Sequence, residues 1–184
     1  MVFVVYEGLT VLDFVGAFDA LTRLKTMKFR EDVSWDIAAM SPQVTEPTGL
    51  TILPTVVGAT LSGYDLLVVP GGFGSRKLMT DQFFLGWLQT AADCPLKTSV
   101  CTGSLLLGAA GFLKGLRATT HPGAYDLLKP FCREVTDERV VDEGHIVTAR
   151  GVSSAIDLGL HLCERLAGVE ARKAIAKQMD YRFE

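Results

Sequence analysis

The sequence has little of what several function classes require. Its four cysteines and three histidines form no C-x-x-C pair, and no histidine stands at zinc-finger spacing from Cys94, Cys101, Cys132 or Cys163. Neither a structural metal nor a disulfide framework is expected from such a pattern, so the thiols are read as reduced and no cofactor is predicted. Positive charge is also scarce: 18 Lys and Arg stand against 21 Asp and Glu, a net charge of −3, and the basic residues are scattered. A nucleic-acid partner would leave a basic stripe, and none is present. No apolar run approaches the roughly 20 residues that span a bilayer. The opening MVFVVYEGLTVLDF has neither a basic leader region nor a small-residue cleavage site, so a cytoplasmic protein without a membrane partner is expected. Internal repeats, low-complexity tracts and long linkers are missing as well, and residues 1–184 read as one domain.

What is present is ordinary globular material: 48% apolar and 21% charged residues over a chain of 184, enough to bury a core. Short β-rich runs alternate with helical patterns, which predicts an α/β fold with a central, mostly parallel sheet flanked by helices. VFVVYEG (2–8) reads as a first buried strand, and TVLDFVGAFDALTRL (10–24) as the helix after it. SWDIAAMS (34–41) is a second strand, and LTILPTVV (50–57) is one that Pro54 confines to an edge or interrupts. YDLLVVPGG (64–72) is a continuous apolar run and predicts a central strand covered on both faces. A helix over 81–92, the strand LKTSV (96–100) and a helix over 102–115 follow. The last third predicts a strand at LRATTH (116–121), a short helix at GAYDLLKPF (123–131) and a hairpin over 138–149 turning at Asp142-Glu143-Gly144. A strong amphipathic helix (153–168) is capped by Ser153 or Ser154 and stopped by Gly168, and a final helix covers 170–179.

Chemistry concentrates at three turns. In SVCTGS, Cys101 lies between a predicted central strand and a helix. A side chain at such a junction points over the carboxyl edge of the sheet, where open α/β folds bind ligands. The helix N-terminus is expected to lower the thiol pKa there, although a free cysteine is also a common inert core residue. VVPGGFGS forms a second glycine-rich turn, which makes the amides of Gly72, Phe73 and Thr102 candidate donors to a developing negative charge. GGFGSRK does not match a P-loop. Asp13 interrupts the apolar TVLDFVG, where a carboxylate must be paired or used; a helix N-cap is the bland reading.

Taken together, VVYEGLTVLDFVGAFDAL, YDLLVVPGGFG, TSVCTGSLLLGAAGFLKGLRATTHPGAYDLL, ERVVDEGHIVTARGVSSAIDLGLHLCERLAG and AKQMDY resemble successive blocks of the ThiJ/PfpI superfamily. In motif they are most similar to its isocyanide hydratase branch and to the amidase-like domains of some transcription regulators. The resemblance implies a flavodoxin-like, class I glutamine amidotransferase-like fold and a homodimer. It also implies a cofactor-free enzyme in which Cys101 is the nucleophile, Asp13 the acidic partner of that sulfur and His121 a neighbour of the site. Thr102 stands where protease-like members carry histidine, so a peptidase dyad is not implied, and an aspartate at position 13 with different flanking loops does not imply a deglycase; amidase, deglycase or protease activity is the less favoured alternative. A small-molecule substrate, apolar by the presence of Phe14 and Phe73, is the implied partner. Two alternatives stay open: a ligand-sensing domain without turnover, and a redox or stress-response role through oxidation of Cys101.

Overall fold

The structure is a computed structural model and describes residues 1–182. In chain order the strands and helices are β1 (Val2–Val4), α1 (Val11–Thr26), β2 (Asp36–Ala39), β3 (Val44–Thr45), β4 (Thr51–Ile52), β5 (Val56–Val57), β6 (Leu66–Val69), α2 (Ser75–Leu78), α3 (Gln82–Gln89), β7 (Leu96–Val100), α4 (Gly103–Ala109), β8 (Arg117–Ala118), α5 (Tyr125–Leu128), β9 (Glu134–Val135), β10 (Val140–Asp142), β11 (Ile146–Ala149), α6 (Ser154–Ala167) and α7 (Val169–Gln178).

Seven strands pair in the order β10-β11-β7-β6-β1-β2-β5. Every pairing is parallel except the β10–β11 hairpin at one edge. The two runs that lack polar alternation, β1 and β6, lie at the middle and are buried throughout, as strands covered on both faces must be. Pro54 falls between β4 and β5. β4 pairs with β3 in a separate ribbon while β5 closes the main sheet at its edge, because a proline cannot donate to a ladder.

From β1 the chain moves one way to β2 and later fills β6 and β7 on the other side. Right-handed crossovers then place α1 on one face and α3 on the other. Such a reversal opens a crevice at the carboxyl ends of β1 and β6, the usual ligand position in open α/β sheets. Helix α1 packs closely on α6 through small residues: a Cβ on Gly16 would meet the Ala155 Cβ at 2.7 Å, and one on Gly159 would meet that of Ala20 at 2.6 Å. Among the described residues no helix is long and apolar enough to cross a membrane.

Several local expectations shift. The predicted 102–115 helix ends at Ala109, and the chain turns at Gly111 with φ +91°. The 116–121 strand shrinks to β8, and the 123–131 helix breaks into α5 between two 3-10 turns, the second carrying Pro130. The hairpin turns at 143–145, one residue later than predicted, with Glu143 N–H donating to the Ile146 carbonyl. Neither serine caps α6: Ser153 makes no capping bond, and Ser154 is already helical. Gly168, at φ +87°, does end that helix.

Candidate active site

Three turns meet at the crevice. Cys101 follows β7 directly and is held at φ +55°, a left-handed conformation that costs a non-glycine residue about 1–2 kcal/mol. Its backbone is fixed on both sides: its N–H donates to the Ala149 carbonyl at 2.9 Å, and its carbonyl accepts from the Ser104 and Thr120 hydroxyls at 3.0 Å each. Gly103 lets the next turn close on β6, since a Cβ there would lie 2.2 Å from the Val69 carbonyl oxygen. The sulfur is thereby lifted over the sheet edge instead of continuing the strand alternation.

The turn after β6 supplies the connections. Gly71 N–H donates to Asp13 Oδ2 at 2.9 Å, and Gly72 N–H donates to Thr102 Oγ1 at 2.9 Å. The Thr102 hydroxyl returns a bond to the Gly72 carbonyl at 3.0 Å. Gly71 has no room for a side chain, because a Cβ would meet Thr102 N at 2.5 Å and Asp13 Oδ2 at 2.8 Å. Thr10 N–H donates to the Gly71 carbonyl at 2.9 Å and ties in the loop after β1.

Asp13 lies in the first turn of α1 and is fully buried. It does not cap the helix: Thr10 occupies the cap position, and the carboxylate reaches across to Gly71. The N-cap reading is therefore replaced by a bridge between α1 and the β6 turn. Oδ1 has no partner of ordinary hydrogen-bond geometry, and the carboxyl interacts with the Cys101 thiol. Burial pushes its pKa up from 3.8 to about 7, against the pull of the Gly71 amide and the thiol. The thiol is also pushed up, to about 12, by burial and then by the Asp13 charge; the Thr102 amide and hydroxyl pull the other way. The expectation of a thiol acidified by the helix N-terminus is thus reversed. A buried position beside a carboxylate outweighs one turn of helix dipole, and α4 is only seven residues long. Between them the two groups bind and release protons as a coupled pair.

Cys101, Thr102, Gly72, Phe73 and His121 line a cleft of about 140 Å³ together with Thr10, Arg76 and Val152. Of the expected backbone donors, the Gly72 amide is already taken by Thr102 Oγ1, so it is not free for a developing charge. The Thr102 amide faces the Cys101 sulfur, and the Phe73 amide has no partner among the described residues. His121 sits on the rim, where its Nδ1 accepts from the Gly123 N–H at 3.1 Å and caps a 3-10 turn. Phe14 does not reach the cleft: it is buried against Phe3 and Phe18. A larger cavity of about 250 Å³ lies on the side of Tyr6 and Gly74 lined by Met40, Lys77 and Phe84, and no cysteine borders it.

Two residues near the site escaped the sequence reading. Tyr6 is buried and donates from its hydroxyl to the Pro70 carbonyl at 2.7 Å, behind the Cys101–Asp13 pair. A phenol at the end of an apolar strand was the available signal. Arg76 lines the cleft with its guanidinium 5.0 Å from the Phe73 ring centroid; its sequence setting, just after the glycine-rich GGFGS, carries no such signal. Among the described residues no group of three His, Cys, Asp or Glu could hold a metal ion.

Comparison with known proteins agrees with this architecture. The chain is 36% identical over 181 residues to an isonitrile (isocyanide) hydratase of Pseudomonas putida, covering 97% of this chain and 77% of that one. It is 26% identical over 183 residues to the HTH-type transcriptional regulator GbdR of Pseudomonas aeruginosa, covering 97% of this chain and 50% of the regulator. A solved ThiJ/PfpI family protein from Pseudomonas syringae superposes with a TM-score of 0.88 at 32% identity, covering 100% of this chain and 75% of that one. The DJ-1/PfpI family model matches residues 1–165, and the chain belongs to that family.

Proposed function

We propose that the protein is a cofactor-independent, isocyanide hydratase-like enzyme that adds water to a small isocyanide and releases an N-formamide. The observation that carries this reading is the pairing of a cleft-lining thiol with a buried carboxyl whose pKa lies near 7. A group titrating near the working pH can both take and return a proton. Similarity to the P. putida isonitrile hydratase supports the choice of substrate class.

In this mechanism Asp13 in its ionised form takes the Cys101 proton as sulfur attacks the terminal isocyanide carbon and the S–C bond forms. The same proton passes from Asp13 to that carbon, which leaves a thioimidate. Water then adds: its oxygen bonds to carbon, one proton goes to nitrogen, and the second returns through Asp13 to sulfur as the C–S bond breaks. The product is the formamide and the free thiol is restored. Because the resting thiol is not acidified, the nucleophile is generated during attack, with the Thr102 amide supporting charge on sulfur. Phe73 N–H is the remaining backbone donor toward the cleft.

The test is formamide formation from a simple alkyl or aryl isocyanide, with Cys101→Ala and Asp13→Asn measured beside the parent. Loss of product in both variants supports the roles; no product from the folded parent sinks the reading. The second reading, a ligand sensor without turnover, is favoured by the match to GbdR along 97% of the chain. Saturable binding of a small molecule without product would establish it. A homodimer is part of the proposal, through the outward face of α1 where Leu12 is 45% and Val15 37% exposed; sedimentation of Val15→Glu against the parent tests it.

A further inference from the structure

The cleft beside Cys101 carries a charge that the proposed reaction does not use. Arg76 is its one permanently charged lining residue, and no acidic residue lines it. Asp13 lies behind the sulfur and is fully buried. The protein as a whole is acidic, with a net charge of −3, so a lone cation at the mouth of this cleft is a local departure.

The guanidinium has no carboxylate partner among the described residues, although most other arginines here are ion-paired. It is held instead over the face of Phe73, 5.0 Å from the ring centroid. The same turn fixes the two residues, with Arg76 N–H donating to the Phe73 carbonyl at 3.2 Å. Phe73 is 77% exposed, which leaves its ring open to the guanidinium. Stacking orients the guanidinium plane and leaves its edge N–H groups free to bind a planar anion. The buried Tyr6 hydroxyl lies within electrostatic reach of Arg76, Asp13 and Cys101 alike.

We infer that Arg76, braced on Phe73, is a specificity residue that selects small electrophiles bearing a carboxylate or similar planar anion for reaction at Cys101. The inference deepens the hydratase reading by naming an anionic isocyanide as its substrate class, and it rests on Cys101 being the reacting group. It also replaces the apolar substrate expected from the sequence.

Iodoacetate and iodoacetamide test it without turnover. Each forms one S–C bond with the Cys101 thiolate and releases iodide; they differ in the carboxylate. The second-order rate ratio of iodoacetate to iodoacetamide is measured at Cys101 by mass spectrometry on the whole protein, against the same ratio for a neutral free thiol. The expected ratio exceeds that of the free thiol by roughly 10- to 100-fold, the range of a hydrogen-bonded charged contact. It falls to the free-thiol value in Arg76→Gln and is partly kept in Arg76→Lys. Taking a ratio cancels any change in the thiol itself, and a thermal melt of each variant verifies folding. A ratio equal to that of the free thiol, or one that Arg76→Gln leaves unchanged, overturns the inference. Formamide production from an isocyanide carboxylic acid and from its methyl ester is followed in parallel. Product from both with a free-thiol alkylation ratio overturns the anion preference and keeps the hydratase. No product from either, with the raised ratio intact, overturns the hydratase and keeps the anion-selective thiol.

Discussion

Asp13→Asn should make the protein more stable at alkaline pH while removing its proposed activity. The unfolded carboxyl ionises near 3.8 and the folded one near 7. Between those values the native state holds a proton that the unfolded chain has released, so stability falls as pH rises from about 4 and levels out above about 7. A rise from 3.8 to about 7 corresponds to about 4 kcal/mol withheld from the native state once Asp13 is ionised. Asparagine carries no such dependence, and its carbonyl can still accept from Gly71 N–H. Its amide protons face the position where Oδ1 now lacks a partner, and an unsatisfied donor costs about 1–3 kcal/mol. The variant is therefore expected at or below the parent in stability at pH 5. Relative to the parent it gains about 2–3 kcal/mol on going to pH 8. Urea unfolding of both proteins at several pH values between 5 and 8 reads this directly. Parallel pH profiles would refute the high carboxyl pKa and, with it, the view of Asp13 as a proton carrier at neutral pH.

Further outcomes follow from the same geometry. If Asp13 must be ionised to accept the thiol proton, kcat/KM for isocyanide hydration rises with pH and flattens above a limb near pH 7, which a pH–rate profile checks. Cys101→Gly should be more stable than Cys101→Ala by about 1 kcal/mol in chemical denaturation, because φ +55° is free of cost only for glycine. Thr102→Val should lose about 1–3 kcal/mol by leaving the buried Gly72 amide unpaired, whereas Thr102→Ser keeps that bond and most of the stability. Gly103→Ala drives a Cβ to 2.2 Å from the Val69 carbonyl oxygen and should cost several kcal/mol or abolish soluble expression, as read by thermal melts.

The alternation of β-rich and helical runs was enough to read the α/β class, and the unbroken LLVV with its Pro-Gly-Gly was enough to centre β6. Local signals were weaker where side chains serve distant partners. Asp13 looks like a cap because caps are local and common; its use is set by Gly71, 58 positions away. Gly72 looked like a free amide donor until Thr102, 30 positions on, was found to occupy it. The helix predicted to run to 115 failed for a simpler reason, since a glycine at positive φ ended it and the following residues answered to tertiary packing.

By itself the sequence determined which residues could be covered by other residues, and so the sheet, the crossover pattern and the turn that lifts Cys101 over the sheet edge. Periodicity and glycine placement are local properties, and they carry that much. Only the tertiary structure decided the chemistry of the thiol. Its pKa depends on how deeply the folded chain buries it and how close the Asp13 carboxylate comes, and both are set by the meeting of three turns. The charge of the cleft was settled in the same way, because Arg76 matters only where the turn that stacks it on Phe73 faces Cys101.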